Sequence, residues 1–328
     1  MPAMHAVRLH EFGPPENLIY EEVDDPKPGP GQVRIAVAAA GVHLFDTTIR
    51  AGRPGGPFGL PKLPQVQGRE VAGTVDALGE EVDDAWLGRR VVVHLGPASG
   101  GYAELAVADV ASLHAVPDGV ADDVAVAMIG TGRTALAILE VAQLAAEDVV
   151  LVTAAAGGLG TLLVQAALRA GATVVGLAGG PAKAGRVREL GAAAVDYGED
   201  GWADGVRAAL AGRAATVLLD GVGGDLGRQA FALLGVGGRV VMFGWASGEP
   251  LEITTGDIYA RGLTATAAVG PRLLQRPGGL REFETAALAA AAAGELVPAV
   301  QGFPLAEAAA AHAALAARAT TGKVVLVP

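Results

Sequence analysis

The sequence predicts an α/β protein with a β-rich first domain and a doubly wound parallel-sheet domain, and three observations support this. At 328 residues the chain is long enough for two domains, and 51% of its residues are hydrophobic. The first third holds short β-branched runs, whereas helical and strand patterns alternate after about residue 121. An apolar run at 149–153 leads directly into a glycine-rich turn and a helix, which is the order of a βα unit.

Short runs rich in β-branched residues fill the first third of the chain, and we predict them to be strands. They lie at 4–9, 32–39, 69–78 and 90–94. Pro and Gly clusters at 26–31 and 52–57 separate them, because both residue types interrupt regular structure. Strands punctuated in this way predict a small barrel or sandwich.

Strands and helices alternate in the second part of the chain, which predicts βαβ units and a parallel sheet. The predicted strands are 149–153, 173–177, 194–196, 216–220 and 239–243, and the predicted helices are 125–142, 161–169, 181–190, 202–211 and 225–234.

The C-terminal tail has helical patterns at 281–293 and 305–317 and a closing strand at 323–327, and it is too short for its own core. We therefore expect it to pack on the first domain. The β-rich domain is then discontinuous, 1–124 with 266–328, and it flanks a parallel-sheet domain at 125–265.

Composition argues against several classes of function. The formal net charge of −11 opposes binding to nucleic acid, which needs clustered Lys and Arg. Without cysteine the chain has neither disulfides nor a Cys-type zinc site, and its six histidines include no pair at i, i+3 or i+4. We therefore expect no metal.

Two further features concern location. No stretch approaches the ~20 uninterrupted apolar residues of a membrane span. The first ten residues lack a basic region followed by an apolar core, so no secretory signal is expected. We expect a cytoplasmic protein without a membrane partner.

The turn after the first strand of the second domain predicts a site for the pyrophosphate of a dinucleotide. Gly157, Gly158 and Gly160 allow the backbone to turn tightly and to approach a phosphate. The helix that follows directs its free N–H groups and its positive dipole end at the anion. Ala155 replaces the first glycine of G-x-G-x-x-G, so an ordinary tight βα turn is the alternative.

The end of the second strand predicts NADP rather than NAD. An acid would hold the ribose 2′-hydroxyl of NAD about 20 residues after the turn, and we find no Asp or Glu in reach there. Gly179 and Gly180 precede Lys183, one of four lysines in the chain, and a cation suits a 2′-phosphate. The alternative is that Lys183 is a solvated residue on a helix surface.

Other residues fall at the same expected edge of the parallel sheet, where ligands lie in α/β folds. The glycines of 220–224 follow a buried strand, Phe243 and Gly244 end another, and Thr134 lies in the first helix of the domain. The cofactor-binding residues expected in this region are Thr134, Ala156, Gly157, Gly158, Leu159, Gly160, Gly179, Gly180, Lys183, Val222, Phe243 and Gly244.

Taken together, these motifs resemble the medium-chain dehydrogenase/reductases, over essentially the whole chain. The motifs are, in order, 101–104, 116–119, 132–135, 157–160, 220–224 and 322–326. The segment 41–46, followed by Arg50 and Gly52, resembles the zinc-free, zeta-crystallin-like quinone oxidoreductase branch. The resemblance implies a discontinuous GroES-like catalytic domain, a Rossmann domain, NADPH as cofactor and a homodimer.

The resemblance also implies roles for individual residues. Lys183 would meet the 2′-phosphate together with Gly179, Tyr197 and Arg318. Taken alone, Tyr197 is a tyrosine at the end of a strand and Arg318 a charge at the end of a helix.

The chain departs from the family pattern at several positions. The zinc branch has Cys where this chain has His43, and Gly-His-Glu where this chain has Gly-Arg-Glu at 68–70. The quinone branch often has Asn at the position of His43 and tyrosines soon after Asp46, which leaves the substrate open. Arg89 and Trp245 also differ from the pattern, without a functional account.

The expected reaction is hydride transfer from NADPH to a small electron-poor acceptor, without a metal. The acceptor is a quinone or the β-carbon of an α,β-unsaturated carbonyl compound. The catalytic candidates are His43, Asp46 and Thr134, and the substrate-binding candidates are Arg50 and Trp245.

Three of these candidates, His43, Asp46 and Arg50, also have a structural alternative. His43 is the first candidate to donate to the carbonyl oxygen, and packing is its alternative. Thr134 is expected beside the nicotinamide. Asp46 either holds local geometry or is the N-cap of a helix, and we favour the N-cap. Arg50 either binds substrate or only pairs with an acid.

Three other functions stay open. The nearest is a zinc-free enoyl or alkene reductase of the same superfamily. The second is a non-catalytic NADPH-binding regulatory protein, and the third is a zinc alcohol dehydrogenase.

Overall fold

The computed structural model describes residues 3–53 and 59–328, so most of the Pro/Gly cluster at 52–57 lies outside the described residues. The chain divides into two units. Unit 1 comprises Met1–Thr131 and Glu284–Pro328, and unit 2 comprises Gly132–Phe283.

Both unit boundaries fall later in the chain than the expected 124/125 and 265/266. The first falls within a helical stretch rather than at its start. The second is displaced because Leu273 and Phe283 are buried with Ala137 in a small apolar cluster of unit 2. The sequence alone does not reveal that contact.

The regular elements over the described residues have the following bounds. The strands are β1 (Ala3–Leu9), β2 (Leu18–Asp24), β3 (Gln32–Val42), β4 (Gln65–Val66), β5 (Glu70–Leu78), β6 (Arg90–His94), β7 (Leu105–Asp109), β8 (His114–Ala115), β9 (Val149–Val152), β10 (Thr173–Ala178), β11 (Ala193–Asp196), β12 (Ala215–Asp220), β13 (Leu234–Met242), β14 (Thr264–Ala267), β15 (Val300–Pro304) and β16 (Lys323–Val327). The α-helices are α1 (Leu44–Arg50), α2 (Asp122–Ala127), α3 (Arg133–Ala142), α4 (Gly158–Arg169), α5 (Pro181–Glu189), α6 (Trp202–Ala209), α7 (Gly224–Ala232), α8 (Thr255–Arg261), α9 (Pro271–Leu274), α10 (Arg281–Ala292) and α11 (Ala308–Ala316).

Unit 1 is built on two sheets. One has the order β2-β1-β4, and the other has the order β15-β16-β3-β5-β6-β8 with β7 also paired to β3. In β3, Val33, Ile35 and Val37 are buried and alternate with more exposed residues, as expected for a strand with one face on a core. The closing strand β16 runs antiparallel to β3, with Val324 opposite Val42, so the C-terminal segment belongs to unit 1.

Unit 2 is a parallel sheet with the strand order β11-β10-β9-β12-β13-β14. The sequence runs outward from β9 in both directions, so the strand order reverses there and the sheet is doubly wound. Val150, Leu151 and Val152 of β9 are fully buried, which explains why this central strand is a continuous apolar run. In such sheets the ligand lies beyond the carboxyl ends of the strands at the reversal point.

The helix expected at 125–142 is divided in the structure. A π-helical turn, Met128–Gly132, separates α2 from α3. By length and composition alone, Asp122–Ala142 is the one helix in the described part of the chain that is apolar enough to cross a membrane. Arg133 and Glu140 interrupt this helix, so it does not contain the uninterrupted apolar run that the sequence expectation concerned. Because 61% of its most apolar window is buried in the protein, this helix is weak evidence for a span.

Candidate active site

Four strand ends of unit 1 meet at one edge of its larger sheet. Glu70, the first residue of β5, pairs with His94, the last residue of β6. In β3, Ala40 lies opposite Val71, and Val42 lies opposite Val324 of β16. The register therefore places His43, which follows β3, and Lys323, which begins β16, beside Glu70.

The side chains of these residues form what we call the Glu70 cluster: Glu70, His43, His94 and Lys323. Glu70 is fully buried, and its Oε1 lies 2.7 Å from Nε2 of His43. Its Oε2 lies 2.9 Å from Nζ of Lys323, and Lys323 Nζ is 3.2 Å from His43 Nε2. The Lys323 side chain is only 4% exposed, whereas that of His43 is 27% exposed. Of these three residues, His43 is therefore the one that meets solvent.

Two glycines make room for the carboxylate of Glu70. A Cβ at Gly41 would lie 2.2 Å from Glu70 Oε2, and a Cβ at Gly130 would lie 1.5 Å from Oε1. Gly130 is in the π-helical turn Met128–Gly132, which carries its backbone up to the carboxylate. No side chain fits at either position while Glu70 stays in place.

Short contacts with His43 and Lys323 hold the Glu70 carboxylate in its charged form. Burial raises the pKa of Glu70, but the neighbouring His43 and Lys323, with a smaller contribution from His94, bring that pKa well below its usual range. Among the described residues, neither carboxylate oxygen has a well-aligned hydrogen-bond donor, although both make short ion-pair contacts. The carboxylate therefore remains ionised because of the cations around it.

Asp46 fixes the backbone of His43. It is the third residue of α1, and its Oδ2 accepts a hydrogen bond from the His43 backbone N–H at 2.9 Å. Tyr102 Oη donates to the same oxygen at 3.0 Å, and Asp46 is 2% exposed. The prediction that Asp46 itself is the N-cap is wrong by three positions, because His43 is the N-cap and Asp46 reaches back to it. The Asp46 carboxylate thus holds the backbone at His43, and its catalytic role stays a prediction.

Arg50, the last residue of α1, is buried. This residue is 6% exposed, and its Nε donates to the carbonyl oxygen of Gly13 at 3.1 Å. No ion pair of Arg50 occurs among the described residues, and its substrate role stays a prediction.

Two positions that depart from the family pattern have a structural setting. Arg69, which stands where the zinc branch has His, lies over the ring of Phe45 at 4.7 Å. Arg89 lies over the ring of Trp86 at 5.6 Å, so packing accounts for it. Trp245 is 62% exposed in the segment after β13, and its substrate role stays a prediction.

The glycine turn of unit 2 has the geometry of an anion site. Gly157 is the N-cap of α4 and supplies no capping side chain, so the first N–H groups of the helix are not satisfied by one. A Cβ at Gly160 would lie 2.2 Å from the carbonyl oxygen of Ala154. Glycine at this position therefore permits the close approach of helix and strand that a pyrophosphate turn needs.

The ends of β10 and β11 bring together residues expected at the 2′-phosphate. A Cβ at Gly179 would lie 3.0 Å from the ring and hydroxyl of Tyr197, so this tyrosine lies directly on the glycine. Gly180 precedes Pro181, the first residue of α5, and Lys183 follows in the first turn. The contacts thus join Gly179 to Tyr197, and the chain places Lys183 one turn away.

The structure places one acid beside this segment, which the sequence prediction did not include. Asp196, at the end of β11, accepts hydrogen bonds through Oδ1 from the backbone N–H groups of Gly180 and Gly198, each at 2.8 Å. Asp196 comes from the next strand rather than from the second strand itself, which is why spacing along the chain missed it. This oxygen holds the two turns in place.

The turn after β12 is held by a buried carboxylate. Asp220 is fully buried and accepts from Thr153 Oγ1 at 2.8 Å and from the N–H groups of Val222 and Gly223. A Cβ at Gly221 would lie 2.3 Å from the ring of Phe243. The structure thus brings the predicted residues Val222 and Phe243 to one edge.

The other predicted cofactor residues lie as follows. Ala156 is buried and Leu159 half-buried in the turn of unit 2, Gly158 begins α4, and Gly244 follows β13. Thr134 is half-buried in the first turn of α3, in unit 2. Arg318 is exposed after α11, in unit 1. The roles of Thr134 and Arg318 stay predictions.

Sequence reasoning missed three residues of this site: Glu70, His94 and Lys323. Signals for two of them were present. Glu70 stands in the Gly-Arg-Glu segment that departs from the zinc branch, and Lys323 is a lone lysine at the start of an apolar strand. Their proximity depends on pairing between distant strands, since 280 residues separate His43 from Lys323.

Comparison with known proteins adds an independent finding. The family model for the alcohol dehydrogenase GroES-like domain matches residues 29–118, and the model for zinc-binding dehydrogenase matches residues 158–291. The 2-haloacrylate reductase of a Burkholderia species is 35% identical and covers 98% of this chain and 98% of its own length. The quinone oxidoreductase of Pseudomonas aeruginosa is 33% identical and covers 98% of this chain and 99% of its own.

Solved structures show the same likeness. The Escherichia coli quinone oxidoreductase, solved in complex with NADPH, has a TM-score of 0.86 at 27% identity, and the match covers 99% of this chain and 100% of that one. A mycobacterial protein solved with NADPH has a TM-score of 0.82 at 36% identity, with the same coverage of both chains.

Zinc is implied by the description of one matching family, and the residues of the Glu70 cluster do not fit it. His43, Glu70 and His94 each bring a ligand atom within 4.8 Å of the others. However, the Lys323 ammonium contacts both Glu70 and His43, where it would repel a dication. The chain also has no cysteine to supply a thiolate ligand.

Proposed function

The chain belongs to the quinone oxidoreductase family of the medium-chain dehydrogenase/reductases, and from this we propose that it transfers a hydride from NADPH to a quinone without a metal ion. That it is an oxidoreductase of this superfamily follows from its relatives. The observation that carries the finer proposal is the glycine turn of unit 2, where the N-terminus of α4 has no side-chain cap and the backbone is close-packed at Gly160. The NADPH complexes among its structural neighbours support the same cofactor.

The residues of unit 2 fit the two charged parts of NADPH. The N–H groups at the start of α4 would hold the pyrophosphate, because a helix N-terminus favours an anion. Lys183 would neutralise the 2′-phosphate, with Tyr197 and Gly179 forming the surface beside it. When bound, the nicotinamide supplies the hydride, and the protein supplies orientation and a site that excludes water.

His43 of unit 1 is the group we assign to the acceptor. Its Nε2 contacts Glu70 and Lys323, and its backbone N–H donates a hydrogen bond to Asp46. If Nε2 accepts a hydrogen bond from the Lys323 ammonium, the neutral ring carries its proton on Nδ1. An imidazolium also carries a proton on Nδ1. In both forms Nδ1–H is a donor for a carbonyl oxygen of the acceptor.

This donor matters because negative charge develops on that oxygen. Hydride addition to a quinone gives a hydroquinone monoanion, which then takes up one proton to give the hydroquinone. A hydrogen bond from His43 stabilises the developing oxyanion, and a charged imidazolium provides the proton itself. Lys323 and Glu70 keep the ring oriented.

A panel of acceptors tests this proposal. We expect oxidation of NADPH with ortho- and para-quinones, a lower kcat/KM with NADH, and no effect of a chelator. His43→Ala is expected to lower kcat/KM for the quinone about 100-fold, since one oxyanion donor contributes about 10²–10³. The matched control is His10→Ala, an exposed histidine of unit 1 paired with Glu21. NADPH binding without turnover on any acceptor would favour the regulatory alternative, and equal rates for His43→Ala and wild type would remove His43 from the mechanism.

A second candidate is reduction of an α,β-unsaturated carbonyl compound. The 35% identical relative named 2-haloacrylate reductase favours it, as does Arg69, a cation one residue before Glu70 that stacks on Phe45 and suits an acidic acceptor. The same panel with enones and 2-haloacrylates distinguishes the two functions. Higher kcat/KM for the alkenes than for every quinone would make this candidate the better one.

Assembly and location stay proposals. We expect a homodimer, since β14 lies at the edge of the parallel sheet with one side free of a strand partner in the described chain. Light scattering after gel filtration tests this. A cytoplasmic location follows only from the sequence expectation.

A further inference from the structure

We propose that the Lys323 ammonium is a resident cation that closes a metal site formed by His43, Glu70 and His94. In this view, removing the lysine charge opens the site to Zn²⁺ or Co²⁺, which the wild-type protein does not bind there. The inference concerns metal binding by unit 1 and does not depend on the proposed reaction.

The first argument is the set of ligand atoms. Two imidazoles and one carboxylate form a ligand set of known catalytic zinc sites. Each of the three residues offers one ligand atom, and these atoms lie within 4.8 Å of one another. Ligands about 2.0–2.2 Å from a tetrahedral zinc ion are about 3.4 Å apart. Small side-chain rotations would therefore complete the site.

The second argument is rigidity. Glu70 of β5 lies directly opposite His94 of β6, so the register of these two strands sets the distance between the residues. His43 is fixed through its backbone N–H by the buried Asp46. Three ligands on such supports need little reorganisation to bind a metal.

The third argument is the state of the carboxylate. Glu70 is fully buried, yet among the described residues neither of its oxygens has a well-aligned hydrogen-bond donor. Gly41 and Gly130 bring backbone against both oxygens without a side chain. A buried carboxylate bordered by two glycines leaves room for a compact cation, and Lys323 Nζ now occupies that place 2.9 Å from Oε2.

The lysine also explains why a metal is excluded. The Lys323 ammonium lies 2.9 Å from Glu70 and 3.2 Å from His43. It neutralises the charge of the carboxylate and would repel a divalent metal ion bound to the same residues. In the wild-type protein Lys323 therefore supplies, beside His43, the fixed positive charge that a metal would supply. We regard Lys323 as a positioning residue, because its side chain is 4% exposed and acts through His43.

The test compares metal binding by full-length wild type, Lys323→Met and Lys323→Arg. Co²⁺ is titrated and followed by its visible absorption, and Zn²⁺ is followed by calorimetry and by the shift in Tm. We expect Lys323→Met to bind one ion at least 100-fold more tightly than wild type and to gain thermal stability from Zn²⁺. Lys323→Arg retains the charge and is expected to behave as wild type.

Two further variants keep the test decisive. Lys323→Met/His94→Ala is expected to lose at least tenfold in Co²⁺ affinity relative to Lys323→Met, which assigns the ion to this cluster. If Lys323→Met does not fold, Lys323→Gln retains a hydrogen-bond donor beside Glu70 and takes its place. Folded variants without the lysine that bind no metal would overturn the proposal, as would wild type that binds as tightly as Lys323→Met.

Discussion

Replacing Glu70 by glutamine separates the charge of the buried carboxylate from its shape. The amide has nearly the same volume, so the packing against Gly41 and Gly130 is kept. The Lys323 ammonium, only 4% exposed, then loses its counter-ion. Removing one partner of a buried ion pair costs about 3–5 kcal/mol, because the remaining charge stays buried without compensation. For a domain of 150–250 residues that corresponds to a fall in Tm of about 6–20 °C.

The assay is thermal unfolding of wild type, Glu70→Gln, Lys323→Met and the double variant at pH 7.5. The double variant removes both charges, so we expect it to be more stable than Glu70→Gln by about 2 kcal/mol. Asp204→Asn is the control, since that carboxylate is 83% exposed in its pair with Arg207 and should leave Tm nearly unchanged. A loss below about 1 kcal/mol in Glu70→Gln, or a double variant no more stable than the single, would refute the reasoning.

Three other predictions follow from separate features. Lys183→Ala should raise KM for NADPH about 10- to 100-fold with little change in KM for NADH. The control Arg186→Ala, on the exposed side of α5, should change neither KM. Equal effects of Lys183→Ala on both cofactors would show that Lys183 does not bind the 2′-phosphate. Gly160→Ala forces strand and helix apart, so it should lower the free energy of unfolding by about 1–3 kcal/mol and weaken NADPH binding. The control is Gly185→Ala, whose Cβ would have nothing within 4 Å, and it should leave that free energy unchanged or raise it. Denaturant titration measures both variants. Burial lowers the pKa of His312 to about 4, so between pH 6.5 and 4 this histidine is neutral in the folded protein but protonated in the unfolded chain. The free energy of unfolding should therefore fall by up to about 3 kcal/mol as the pH is lowered from 6.5 to 4. His312→Gln should make that fall smaller. Parallel stability curves for the two proteins would contradict the last prediction.

Much of unit 2 was predictable from the sequence because its signals are local. The run of β9, the glycine turn and α4 are contiguous, and the alternation of strands and helices fixes a parallel sheet. The long strands β3, β5 and β6 were found within a few residues for a similar reason. Buried residues alternate in the first half of β3, whereas β6 is a continuous run of the buried β-branched residues Val91, Val92 and Val93.

The short elements were missed because partners, rather than sequence pattern, define them. Strands of two residues such as β4 and β8 exist only through pairing with β1 and β6. The helix α8 has a local signal in the sequence, since Thr254 and Asp257 form a capping box at its start.

The candidate site was predicted in part. His43 was chosen from its place in a family motif, and the structure adds the reason it is held there. Glu70, His94 and Lys323 come from three other strand ends, so only the sheet register brings them to His43. The predicted N-cap, Asp46, lies three positions after the observed N-cap, His43, because the pattern does not show which residue begins α1.

The most direct test of metal-free, NADPH-dependent reduction is kcat/KM for a quinone on protein of measured metal content, before and after exhaustive chelation, with NADPH and with NADH. The account predicts metal far below one ion per chain, unchanged activity after chelation and a clear preference for NADPH. Activity that falls with the metal and returns when Zn²⁺ is added would contradict it.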